Sequence, residues 1–113
     1  MSDGIDPVHD DDAAGSRYFV KQDVLQRDEA RDTRQLGRPR SMLGPEQTRW
    51  WQAAMKDSPA TWKVWGNEVM LNRLWLLMPG APKTPAARLV VDCDAWDGYP
   101  AHKRELLAYL RQH

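Results

Sequence analysis

Six tryptophans fall between Trp50 and Trp96 of a 113-residue chain whose single cysteine is Cys93. Each indole brings an apolar surface of about 150–250 Å² that has to be covered. A chain of this length is at most one small domain with a correspondingly small core, and one thiol excludes an internal disulfide that would staple it. The Trp load and the apolar run Leu74 to Met78 exceed what two helices and two or three short strands can cover. The excess is expected to form apolar patches and unpaired strand edges, with a tendency to self-associate.

Charge narrows the partners. The 16 basic and 16 acidic residues cancel, which leaves no global attraction for nucleic acid or an anionic membrane. The placement is uneven, with Asp3, Asp6, Asp10, Asp11 and Asp12 at the start and Arg27, Arg31, Arg34, Arg38, Arg40 and Arg49 in the middle. Residues 1–16 lack hydrophobic periodicity and read as a disordered acidic tail. Its Asp6 to Asp12 cluster, with His9, has donors for a cation but no rigid turn to organise them, so a solvated tail is the preferred reading. The arginines have the chemistry to hold a phosphate; the alternative, a solvated face, is preferred. No basic region followed by an apolar core opens the chain, and the run Leu74 to Met78 is far too short to span a bilayer, so a cytoplasmic location is expected.

Ordered structure is expected from residue 17 onward, with Arg17 to Val20 as its start and a turn of helix over Val24 to Ala30. The spacing predicts a helix over 45–57. Pro45 suits the first helical position, Glu46 complements the dipole, and Trp50/Ala54 and Trp51/Met55 form an apolar stripe. Pro59 disfavours a helical Ser58 and ends it. Adjacent Trp50 and Trp51 could stack on a base or sugar, but a core role is preferred. Thr61 to Met70, dense in Trp, Val and Thr, reads as a strand interrupted at Gly66, with Asn67 as a lining residue or a bulge former. Pro79 to Pro85 is a loop, Arg88 to Val91 a second buried strand, and Pro100 to Arg111 a helix with Leu106, Leu107, Leu110 and the Lys103 stem on one face. His102 is expected to be exposed.

Asp92, Asp94 and Asp97 follow the second strand, where sites gather in open α/β sheets and where clustered carboxylates suit hard cations. The structural alternative is preferred: Asp97 accepts backbone N–H bonds and organises the turn through Gly98-Tyr99-Pro100. Cys93, in an apolar run and without a partnered histidine, reads as a small hydrophobe.

Four segments then stand in a telling order: Asp32-Thr33-Arg34, Leu43-Gly44-Pro45-Glu46-Gln47, Trp62-Lys63-Val64 and Trp96-Asp97-Gly98-Tyr99-Pro100. Single short motifs are weak, whereas four collinear ones are specific. Over roughly residues 32 to 110 the chain resembles the later-middle part of PhoD-like alkaline phosphatases. The resemblance implies an Asp-Thr-Arg segment ending a buried strand, a Leu-Gly-x-x-Gln turn opening a helix, a Trp-Lys-Val strand, and a Trp-Asp-Gly-Tyr-Pro loop near the cleft. It implies hydrolysis of phosphate esters with iron and calcium in the complete enzyme, and members that are often exported. The family's metal-ligand segments are expected upstream and downstream of this stretch and have no counterpart in it.

The fold class expected is therefore α/β: a fragment of a metallophosphatase sandwich spanning 17–113, behind the acidic tail. Arg34, Asn67, Asp97 and Tyr99 are the cleft-lining candidates, with no catalytic or metal-ligating residue assigned and no cofactor bound by this chain alone. The phosphate-ester substrate belongs to the complete enzyme. Self-association or a complementing polypeptide is the partner expected, and a non-catalytic interaction module with a Trp-rich surface is the alternative function.

Overall fold

The computed structural model describes residues 18–113; the acidic tail, its Asp6 to Asp12 cluster and Arg17 lie outside the described residues. A small antiparallel sheet is built from β1 (Tyr18–Lys21), β2 (Trp75–Leu76) and β3 (Leu89–Asp92), in the order β1-β3-β2. Three helices accompany it: α1 (Gln22–Leu36), α2 (Pro45–Asp57) and α3 (Pro100–Gln112). The result is the small α/β arrangement expected, with one helix more than the sequence reading provides.

β3 is central, and its register sets Val20 opposite Val90, both buried, and Trp75 opposite Val90 on the other edge. Such a cross-strand apolar pair is the stabilising unit of a sheet. α1 leaves β1 without a connecting loop, and Gln22 N–H donates to the Arg88 carbonyl at 2.9 Å, tying the helix start to the strand pair. Val24, Leu25, Cys93 and Tyr99 complete this aliphatic core.

The helix over 22–36 is far longer than the single turn read from Val24 to Ala30. Residues such as Leu25, Gln26, Arg27, Glu29, Ala30 and Arg31 carry good helix propensity, and Arg31 pairs with Asp28 at 3.1 Å, one turn back. Thr33 Oγ1 donates to the Glu29 carbonyl at 2.7 Å, satisfying its hydroxyl within the helix. This corrects the expectation from resemblance: Asp32-Thr33-Arg34 lies within α1 and does not end a strand. Gly37, with φ 68°, closes the helix in the left-handed conformation that glycine adopts without strain.

α2 begins at Pro45 and stops before Pro59, as predicted. Its buried face is narrower than the predicted stripe. Thr48 and Trp51 turn inward with Met55 half-buried, while Trp50 is 68% exposed. α3 is rotated from the face read in the sequence: His102 and Leu106 are buried with Tyr109 half-buried, at i, i+4, i+7, and Leu110 faces out. His102, expected exposed, is 3% exposed. The two helices meet where Tyr109 Oη donates to the Gln52 carbonyl at 2.9 Å.

The strand expected over Thr61 to Met70 does not form. Among the described residues that stretch runs without ladder partners, because β1, β2 and β3 pair in the order β1-β3-β2 and none of them pairs with it. The run Leu74 to Met78 is exposed throughout, with only Trp75 and Leu76 joining the sheet as an edge. Among the described residues no helix is long and apolar enough to cross a membrane.

Candidate functional site

The turn that follows β3 is where the elements converge. Residues 96–98 form a single 3-10 turn, and Pro100 starts α3 two residues later. This short path swings Trp96 inward, 1% exposed, to the middle of an aromatic cluster. Its ring lies 5.7 Å from Trp65 in an edge-on geometry and 5.6 Å from His102, and Trp65 in turn lies 4.9 Å from Trp51. Ring separations in this range are favourable for aromatic pairs. The Trp96 indole N–H donates to Asn67 Oδ1 at 2.9 Å, and Asn67 Nδ2 donates to the Val69 carbonyl. A buried indole is thereby satisfied, and the 61–71 stretch is pinned onto the cluster.

Two polar side chains that the sequence reading left at the surface hold the same turn from the other side. Arg40, 1% exposed, donates from Nη1 to Asp32 at 3.2 Å and from Nη2 to the Gly98 carbonyl at 3.1 Å. One guanidinium thus links α1 to the 96–98 turn, and its burial is sustained by that ion pair and hydrogen bond. His102 is held by α2 and the segment before it. Met42 N–H donates to Nδ1 at 3.1 Å, so Nδ1 is the acceptor and the neutral ring carries its hydrogen on Nε2. Nε2 faces Thr48 Oγ1 at 3.0 Å, and that hydroxyl donates to the Gly44 carbonyl at 2.7 Å. The chain of donors and acceptors runs in one consistent direction and makes His102 a clamp between α2 and α3. Nothing in a lone Arg after Pro39 announces burial. His102 was legible in principle, since it lies four residues before Leu106 on the apolar face.

The four cleft candidates do not share one cavity. Asn67 lines a cavity of about 770 Å³ beneath α2, together with Trp51, Trp62 and Trp96. Asp97 lines another of about 390 Å³, beside Lys103, Trp75 and Arg88, where the Arg88 guanidinium stacks 3.8 Å over the Trp75 ring. Tyr99 is buried in the aliphatic core. Arg34 is exposed in the last turn of α1 and lines neither cavity. A third cavity, of about 300 Å³, gathers Arg38, Arg40 and Arg49 around His102 and Glu105.

Two carboxylates at and beyond the end of β3, Asp92 and Asp97, hold backbone N–H groups. Asp92 Oδ1 accepts the Asp94 N–H at 2.8 Å. Asp97 Oδ2 accepts the Leu74 N–H at 2.8 Å, and its Oδ1 stands 3.5 Å from Lys103 Nζ. Asp97 therefore accepts a backbone N–H as read from the sequence, but from a segment 23 residues away and not from its own turn. Cys93 is fully buried, and burial pushes its thiol up to about 12; Arg40 pulls the other way, while Asp92, Asp94 and Asp97 add to the rise. A thiol so protonated is neither a ready nucleophile nor a ready metal ligand. Among the described residues no group of three or more His, Cys, Asp or Glu side chains is placed to hold a metal ion. The donor set near the Asp94 to Tyr99 turn accordingly does not fit iron or calcium.

No curated protein and no solved structure matches this chain. The family model of the PhoD-like phosphatases does match, over residues 10–113. That span takes in α1, the opening of α2, the Trp-rich stretch and the Trp96 turn in a single alignment, and by it the chain belongs to the PhoD-like phosphatase family.

Proposed function

We propose that this chain is a scaffolding segment of a PhoD-like phosphatase and does not hydrolyse phosphate esters on its own. One observation carries the reading: Asp97, the carboxylate best placed by sequence for a cleft role, has one oxygen on the Leu74 N–H and the other beside Lys103. Withdrawing it to bind a cation would release the Leu74 N–H and the Lys103 ammonium from the carboxylate that holds them. Metal-assisted hydrolysis needs a cation held by fixed ligands with an open position for water. In a complete enzyme, iron and calcium of the kind the resemblance implies would draw their ligands from outside this segment. The segment's contribution would be to present Trp96 and its neighbours as a rigid wall.

The test is turnover of a chromogenic phosphate monoester and diester by the purified chain, with iron and calcium supplied, alongside calcium titration calorimetry. No turnover above buffer and no saturable calcium binding are expected. Robust metal-dependent turnover that Asp97→Ala abolishes would overturn the reading. The exposed aromatic surface on the 61–70 stretch favours a second reading, an interaction module, which concerns what the segment binds and not what it hydrolyses.

A further inference from the structure

The cavity of about 390 Å³ beside Asp97 is lined by residues of α1, α3 and the strands β2 and β3, and its size falls in the range that small-molecule sites occupy. Its lining is of two kinds. The apolar part comes from Leu25, Val90 and Trp96, all buried, and from the half-buried Leu107. The charged part is Arg73, Arg88, Lys103 and Arg104 against Glu29 and Asp97, four cations to two carboxylates in a chain whose total charge is zero. Lys103 is taken by Asp97 at 3.5 Å. Among the described residues no acceptor holds the side chain of Arg73, Arg88 or Arg104 by a hydrogen bond or ion pair. Arg88 is the most constrained of the three: it is half-buried, and its guanidinium lies 3.8 Å over the Trp75 ring. Stacking fixes the plane of the fork and leaves the N–H donors along its edge unused. A guanidinium partly withdrawn from water without an acceptor is unfavourable, and a ligand oxyanion would relieve it.

We propose that this cavity binds a small organic carboxylate with an apolar body, its head on Arg88 and its body against Leu25, Val90 and Leu107. A planar carboxylate meets the edge of a guanidinium through two parallel hydrogen bonds, and the positive charges of Arg73 and Arg104 in the same lining favour an anion. Charge and apolar surface belong to one cavity, so the ligand needs both: a bare ion leaves the leucines uncovered, and an uncharged body leaves the fork empty. The binding involves no metal and no phosphate ester, and it is independent of the hydrolytic reading above.

Titration calorimetry of the full chain with octanoate, acetate and octanamide tests it, with circular dichroism to establish that each variant is folded. Octanoate is expected to bind saturably, one per chain. Acetate has the head without the body and octanamide the body without the charge, and each should bind at least roughly tenfold more weakly. Arg88→Gln should weaken octanoate at least roughly tenfold. Arg104→Gln, at an exposed position on α3, should weaken it roughly two- to fivefold, and it carries the test if the first variant fails to fold. A chain that does not bind octanoate overturns the proposal. So does octanoate binding that neither substitution alters, because the ligand then sits on the exposed Leu74 to Met78 run. Octanamide binding as tight as octanoate, or displacement of octanoate by equimolar inorganic phosphate, overturns it equally, since the site would then read only the apolar surface or only the charge.

Discussion

Two regions of this molecule carry comparable aromatic content and treat it in opposite ways. Around the turn after β3, Trp96 is fully enclosed, its indole nitrogen bonded to Asn67, and flanked by Arg40 and His102, each held by partners on other elements. Along residues 61–78, Trp62, Val64 and the run Leu74 to Met78 stand exposed, and only two residues reach a ladder. Hydrophobicity does not separate the regions. The difference is that the first brings together α1, α2, α3 and β3 within reach of one turn, whereas the second lies against one side of the molecule with nothing on the other. Apolar residues become core only where enough elements converge to exclude water from every side.

If that comparison holds, substitutions in the closed region should be costly and those in the open one nearly silent for folding. The largest effect belongs to Trp96→Ala, which empties the centre of the aromatic cluster and frees Asn67. A loss of about 3–5 kcal/mol is expected, read as a lowered midpoint in urea denaturation or the disappearance of a cooperative transition. Next comes Arg40→Met, which leaves the Gly98 carbonyl without its donor and takes the Oδ2 partner from Asp32, whose Oδ1 stays beside Arg31 Nε at 3.3 Å. It should destabilise by about 1–3 kcal/mol in the same assay, mainly through the buried Gly98 carbonyl left without a donor.

The alkaline limb offers a smaller and more particular effect. An unfolded Cys93 thiol ionises near its ordinary value of 9.0, whereas the folded one is pushed up to about 12. The unfolded state therefore sheds its proton first, so the stability contribution is complete below pH 9 and is lost as pH rises from there toward 12. The slope is at most about 1.4 kcal/mol per pH unit, and it should vanish in Cys93→Ala when denaturation midpoints are followed against pH. Smallest of all is Trp62→Ser at 87% exposure. Monomer stability should shift by no more than about 0.5 kcal/mol, as measured at concentrations too low for association. A large loss there would mean that the open region is in fact load-sharing, and the contrast between the two regions would collapse.

Much of the closed region's framework could be read from the chain. Pro45 and Pro59 bracket α2, and Pro100 opens α3, because proline's fixed φ and missing N–H act locally. The short apolar run before Asp92 became β3, and Cys93 became core. The four collinear motifs carried the family. What resisted reading was whatever depends on a distant partner. The helical state of Asp32-Thr33-Arg34 is supported by α1's own pairs and by Arg40, eight residues beyond Asp32. The burial of His102 depends on Met42 and Thr48, 60 and 54 residues away. Residues 64–71 alternate in burial as a strand does, yet whether a strand is laddered is a property of its neighbour.

The chain's local chemistry thus determined where α2 and α3 start and stop, which short apolar run is strand, and which family supplies the pattern, because proline geometry and side-chain periodicity act within a few residues. Tertiary structure alone decided that Arg40 and His102 are interior, that Asp97 serves Leu74 and Lys103, and that the Trp-rich stretch keeps an open edge. Burial and hydrogen-bond satisfaction are settled by which distant segments arrive at the same place, and no window of sequence contains that information.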